Sequence, residues 1–318
     1  TLDRSRYQIT PGRRATEAEL ALTLRSSQGG RHRILLPAGA ELTRLSVDGQ
    51  QRPLVLQGGA LDLPLVPGSQ RVVVGWREAS GLQAVYQPAR VELGTAGVNA
   101  ETLVRLGDAR WVLWTAGAGI GPAVLFWALL AVLAVLAGVL ARSRLTPLGF
   151  VDWLLLGIGL SQVGVWVGAL VALWLFALGL RRRWRADAAA WHFNLVQLGL
   201  VVLSIAALLA LLSALQQGLL GSPEMQIAGN GSSATNLSWY LDRQGPTTEP
   251  VTVVSAPIWV YRTLMLAWAL WLAWRLLGWL RWGWQSLAGP TLWRESRRGR
   301  STDCGAAPGE REGLSLDI

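Results

Sequence analysis

The 318-residue sequence contains no lysine: all 29 of its Lys-plus-Arg positions are arginine. That absence excludes a Walker-type phosphate loop, a Schiff-base mechanism and a lysine general base, because each needs an ε-ammonium that guanidinium does not replace. The one cysteine, Cys304, excludes an intrachain disulfide and a cysteine zinc cluster. His32 and His192 are the only imidazoles, so there is no His-Glu-x-x-His unit. Charged residues make up 15% of the chain against 51% apolar, and 29 basic against 20 acidic side chains leave a net charge of +9. That balance describes a polytopic membrane protein carrying an extra polar unit, and disfavours a simple soluble enzyme. The sequence opens at Thr1 without methionine and reads as a fragment or processed product whose export signal lies outside it.

Residues 1–110 hold no apolar run long enough to cross a bilayer, yet they alternate. Ala18 to Arg25 sets Leu20, Leu22 and Leu24 on one side and Glu19 and Thr23 on the other, the period-2 pattern of a half-buried strand. Arg33 to Leu36, Leu42 to Val47, Leu54 to Leu56, Leu61 to Val66, Arg71 to Trp76, Gln83 to Gln87 and Leu103 to Leu106 read the same way. Asp48-Gly49, Gly58-Gly59, Pro67-Gly68 and Gly81 separate them as turn residues. Short strands at intervals of roughly 8–12 residues predict an all-β, sandwich-like domain.

Residues 111–120, with Trp111, Trp114 and two glycines, read as a linker whose indoles sit in an interfacial belt. Gly117, Gly119 and Gly121 have the spacing of a nucleotide loop, but no strand–helix unit surrounds them and no acidic ribose partner follows. Residues 121–215 then supply spans 1–4. Gly121 to Ala141 is almost wholly apolar and ~20 residues cover a ~30 Å core. Leu148 to Leu180 would be ~50 Å as one helix, too long for an ordinary tilt, so it is divided at Ser161-Gln162 into two short antiparallel spans. Trp191 to Leu215 makes the fourth. Residues 216–257 form a polar loop in which Asn236 to Asp242 and Val251 to Ser255 flank Gln244-Gly245-Pro246 as a small β-hairpin. Residues 258–284 are a Trp-rich last span and 285–318 a disordered tail rich in Arg, Gly and Ser.

The resulting fold class is a membrane α-helical bundle of about five spans preceded by an exterior all-β domain. It puts Arg142, Arg144, Arg181, Arg182, Arg183, Arg185, Arg281, Arg294, Arg297, Arg298 and Arg300 on the cytoplasmic side and only Arg243 in the outer loop. A four-span arrangement with the β domain outside strands most of these arginines on the wrong side. One with the β domain inside survives that count better, but needs a single strongly tilted helix over residues 148–180. Anionic headgroups are the expected partners of the cytoplasmic arginines. Nucleic acid is not, because the basic residues cluster beside apolar spans instead of along a soluble face.

A β-rich exterior domain and first span, followed by Arg144-Leu145-Thr146-Pro147 leading into a Leu/Gly-rich apolar segment, is similar to the C-terminal membrane part of CreD-type bacterial inner-membrane proteins. The resemblance covers residues 105–215 and stops short of the Trp-rich last span, which departs from that pattern. It implies a bacterial inner-membrane protein with a periplasmic domain and no established catalytic chemistry, and brings no site residues.

Ionisable side chains inside apolar segments are the usual pointers to transport or catalysis. Asp152, His192, Arg262 and Arg275 are the candidates, each close enough to a segment end to reach water or headgroups. The unusual constellation is indole: 18 of 26 aromatic residues are tryptophan. At ~100° per residue, Tyr261, Trp268, Trp271, Arg275, Trp279 and Trp282 share one stripe of the last span. Such a stripe is ordinarily packing surface. Its arginine makes it also a candidate face for an anionic lipid or a partner membrane helix. No cofactor, metal or catalytic set is expected, and the leading functional expectation is an exterior binding or scaffolding domain on a membrane anchor. A transporter or permease component comes second, and a lipid- or polymer-modifying enzyme third.

Overall fold

The computed structural model describes residues 1–53, 56, 58–183, 190–221 and 223–289. Strands come first: β1 (Leu2–Pro11), β2 (Thr16–Ser26), β3 (Gly30–Leu35), β4 (Glu41–Val47), β5 (Gln50–Gln51), β6 (Ala60–Leu65), β7 (Gly68–Glu78), β8 (Val85–Tyr86), β9 (Gly97–Arg105), β10 (Arg110–Gly117) and β11 (Ala123–Val124). Helices α1 (Phe126–Arg142), α2 (Phe150–Leu160), α3 (Val165–Arg183) and α4 (Ala190–Leu220) follow. Then β12 (Ile227–Ala228), β13 (Asn236–Gln244) and β14 (Val251–Pro257) precede α5 (Ile258–Ala288).

Alternation produces the sheet core. On β2 the buried positions are Thr16, Ala18, Leu20, Leu22 and Leu24, and β7 answers with Val72, Val74 and Trp76 at Leu22, Leu20 and Ala18. A seven-stranded sheet results, in the order β13-β9-β1-β2-β7-β4-β5. A three-stranded sheet β10-β14-β8 and the pair β3-β6 contribute Val112, Val253, Tyr86, Ile34 and Leu63 to the same buried cluster. Strand β1 was not legible by alternation. A register shift lies between Leu2 and Arg4, and one of its inward positions is Ser5, whose hydroxyl donates to Gln244 Oε1 at 2.8 Å.

Two readings of the middle of the chain are corrected. Residues 111–120 are not a linker: Trp111, Val112 and Trp114 lie in β10, which pairs antiparallel with β14. The glycines that follow serve close approach, since a Cβ on Gly117 or Gly121 would sit 2.5 or 2.3 Å from the Trp239 indole. Nor do the two strands of residues 216–257 form a hairpin. β13 joins the edge of the large sheet beside β9, with Leu237 opposite Val104, while β14 inserts between β10 and β8. Each strand is drawn to an unpaired edge of the N-terminal region, which buries Leu237, Trp239, Val251 and Val253. The β-rich unit therefore takes its strands from before α1 and from between α4 and α5.

Three helices are long and apolar enough to cross a membrane: Val165–Arg183, Ala190–Leu220 and Ile258–Ala288. Phe126–Arg142 and Phe150–Leu160 are shorter apolar helices. The first helix begins later than Gly121 because Ala123 and Val124 pair with β12. Residues 161–164 break the long apolar segment, with Gly164 at φ +117°. α4 runs on to Leu220, and α5 continues to Ala288, into the stretch expected to be disordered. Leu54, Val55, Arg185 and the rest of the tail from Pro290 lie outside the described residues.

Polar contacts at the helix ends fall at two levels. Near the β-rich unit, Glu224 N–H donates to Gln162 Oε1 at 3.0 Å, and Phe126 N–H to the Met225 carbonyl at 3.2 Å. At the far end Arg183 Nη2 donates to the Arg144 carbonyl at 2.8 Å, and Gln197 Nε2 to that of Leu287 at 2.8 Å.

Candidate functional site

The stripe on α5 faces the chain's own helices. Tyr261, Trp268 and Trp279 are buried, while Trp271, Arg275 and Trp282 are half-buried. Tyr261 meets Trp111 edge-on at 5.5 Å, and Trp271 meets Trp279 at 6.1 Å. Trp268 Nε1–H donates to the Leu155 carbonyl of α2 at 2.8 Å, and its indole fills the space over Gly159, where a Cβ would lie 1.9 Å from the ring. The indoles exposed on this helix are others: Trp259, Trp274 and Trp284.

Arg275 is not a lone snorkelling cation. It makes an ion pair and hydrogen bond with Asp152 in the first turn of α2, the side chains being 33% and 10% exposed. Asp152 Oδ2 also accepts the Gly149 N–H at 3.1 Å, so the carboxylate that caps α2 also ties it to α5. Arg275 Nε and the neighbouring Trp153 Nε1 are buried without a hydrogen-bond partner among the described residues. The guanidinium lies 5.8 Å from the Trp274 ring centre, and Trp153 stacks on Phe176 at 5.7 Å. The pairs Asp152–Arg275 and Leu155–Trp268 make α2 antiparallel to α5.

A second polar knot sits at the far end. Arg181 and Gln197 are buried, with Arg181 Nε donating to Gln197 Oε1 at 3.3 Å and the guanidinium 4.7 Å from the Phe193 ring centre. The sequence places Arg181 only by its charge, among the arginines on the cytoplasmic side, and gives no comparable sign for Gln197. What it shows there is a glutamine near the start of an otherwise apolar helix.

In the β-rich unit, Trp76 donates to Glu78 Oε1 at 2.8 Å and stacks on Tyr7 at 5.7 Å. Burial pushes the Tyr86 hydroxyl up to about 12, and Tyr7 well above its ordinary value, so neither ionises near neutrality. His32 is pushed down by burial, which keeps it neutral at pH 7. Among the described residues no group of three His, Cys, Asp or Glu side chains comes together as a metal site.

No protein-family model and no curated protein matches the chain. Among solved structures it is similar to an M1 zinc metallopeptidase from Deinococcus radiodurans, at 14% identity and a TM-score of 0.29 over 38% of this chain and 35% of that one. The same peptidase, as a variant bound to a Tyr-Ser-Ala substrate, gives 15% and 0.28 over the same shares. The chain thus spans about a third of the length of the structures it matches, and likeness at this level carries no argument about function.

Proposed function

We propose that this is an integral envelope protein of the bacterial inner membrane. Its sandwich-like β unit stands in the periplasm to bind or scaffold a partner, and five spans anchor it without catalysing a reaction. The observation that carries the reading is the segregation of the two ends. Strands from either side of α1–α4 close one β unit, while Arg142, Arg144, Arg182 and Arg183 gather at the opposite end. The Gln162–Glu224 bond puts the α2–α3 turn at the β end, which supports counting α2 and α3 as separate passages. Anionic headgroups are the partners of the arginine end, and the CreD-type likeness of the Arg144–Pro147 segment agrees with this class. A transporter or permease component is the second reading, favoured by the Asp152–Arg275 pair, since intramembrane charge is costly and usually functional.

The test is a topology map in a Cys304→Ser background. An impermeant thiol reagent added to spheroplasts should label Val165→Cys, 81% exposed beside the turn, and Arg243→Cys on β13, while Arg281→Cys stays protected. Labelling of Arg281→Cys with protection of the other two would overturn the orientation. Protection of Val165→Cys alone would remove the fifth span.

A further inference from the structure

Where the β unit meets the start of α5 there is a cleft of about 500 Å³. It lies between the β1–β2 turn, the β9–β10 turn and the residues Pro257 to Trp259. Its floor is pinned by the Ile258 N–H bond to the Ala109 carbonyl at 3.0 Å. The lining is apolar apart from two arginines, Arg13 and Arg110, and includes no acid. Arg110 is held in one orientation: its Nη2 donates to the Gln83 carbonyl at 3.0 Å and to the Ser255 carbonyl at 2.9 Å, and its Nε reaches Ser255 Oγ at 3.2 Å. Its Nη1 and the whole Arg13 guanidinium have no hydrogen-bond or ion-pair partner among the described residues. Burial pushes the Arg110 guanidinium below its ordinary value.

Below the cleft the character of the surface changes. Trp259 at its mouth is 64% exposed, and beyond the exposed Arg262 and Thr263 of the next turn Leu266, Leu270 and Leu277 form an exposed apolar strip within ~40° of each other at helical spacing. An indole at the head of an apolar helix strip marks the boundary between headgroups and hydrocarbon. One fixed and one free arginine therefore lie about two helical turns above an apolar strip.

We propose that this cleft is a binding site for one glycerophospholipid of the leaflet facing the β unit. Its phosphodiester is held between Arg13 and Arg110, its glycerol end rests against Trp259, and an acyl chain follows Leu266 and Leu270. A planar guanidinium fixed by backbone carbonyls suits phosphate oxygens better than a flexible ammonium would. The site goes beyond the lipid contacts of the arginine end. It rests on the membrane reading only through the position of the bilayer boundary.

The test uses the full chain, purified and delipidated in detergent, so that its failure and a failure of the topology map are separate results. Phosphatidylglycerol carrying a photoactivatable headgroup is added and the cross-linked peptides are mapped. Matched diacylglycerol and inorganic phosphate serve as comparators. Cross-links should fall on peptides containing Leu82 and Leu106, and native mass spectrometry should show Arg13→Gln weakening retention of that lipid about tenfold. Arg182→Gln with Arg183→Gln should leave those cross-links in place. Arg13 is exposed, so its variant keeps the test free of folding effects. Arg110→Gln, checked by circular dichroism, should weaken retention further. Cross-links confined to the arginine end, retention indifferent to Arg13→Gln, equal capture of diacylglycerol, or displacement by inorganic phosphate would each overturn the proposal.

Discussion

Asp152 and Arg275 sit 123 positions apart and meet inside the helical bundle. Removing either leaves the other partly buried without its ion-pair partner. Arg275→Leu is therefore expected to destabilise the detergent-solubilised protein by about 3 kcal/mol, the low end for a buried pair because a third of the arginine is exposed. The double variant Asp152→Leu/Arg275→Leu should recover most of that loss in denaturant titrations. A double variant that loses the sum of the two single losses would mean that the two side chains do not act as a pair. Either residue alone was visible in the sequence as an intramembrane charge, and snorkelling was a sufficient account of each. The overlooked sign was balance: Asp152 is the only acid in the predicted spans, which makes the arginines of those spans its natural partners. A second contrast concerns small residues. Gly159→Ala would drive a Cβ into the rigid Trp268 indole and should cost about 1–3 kcal/mol. Gly218→Ala meets only the flexible end of Met265 and should cost well under that in the same assay.

Among the elements, β3 carries a titratable group whose effect has a definite sign. His32 has a folded pKa below its unfolded value, so the unfolded chain binds more protons between the two. Stability from this residue is present above about pH 6.5 and is lost as pH falls toward the depressed folded value. Urea midpoints of the β transition should fall from pH 7 to pH 5.5, and His32→Gln should flatten that slope. Strands β2, β6 and β7 were readable because alternate positions, Ala18 to Leu24, Leu61 and Leu63, and Val72 to Trp76, are apolar and buried, and β4 through Leu42, Leu45 and Val47 despite the register shift between Leu42 and Arg44. β1 was not, since Ser5 occupies an inward position and its partner Gln244 belongs to β13. The ranges of β13 and β14 were readable too, but their partners were not. Proximity in sequence favours a hairpin, and only the open edges of the N-terminal sheets reveal otherwise. Leu237→Ala, although it lies beyond four helices, should therefore unfold the β unit with a loss of about 2–5 kcal/mol, followed by near-UV circular dichroism.

Across the whole molecule, charge and apolar length act together. α2 has only 11 residues, ~16 Å of helix, short of a ~30 Å core by itself, so the proposed five-span orientation leans on its packing against α5 and on the arginines flanking the α2–α3 pair. Replacing Arg142, Arg144, Arg182 and Arg183 by Gln should weaken that orientation and reduce external labelling of Val165→Cys, while Arg243→Cys remains accessible. Full labelling of both would show that packing alone sets the topology. The interleaving of β13 with the N-terminal sheet also dictates an order of manufacture. β9 leaves the ribosome roughly 130 residues before the strand that covers its edge, on the order of ten seconds at ~5–20 residues per second. During that interval α1–α4 are made, two of them long and apolar enough to cross a membrane, while the edges of β9 and β10 stay unpaired and prone to wrong partners. The β unit reaches its native pairing only after α1–α4 have been made, so a chain stalled before β13 leaves it open-edged, a defect that a protease can recognise.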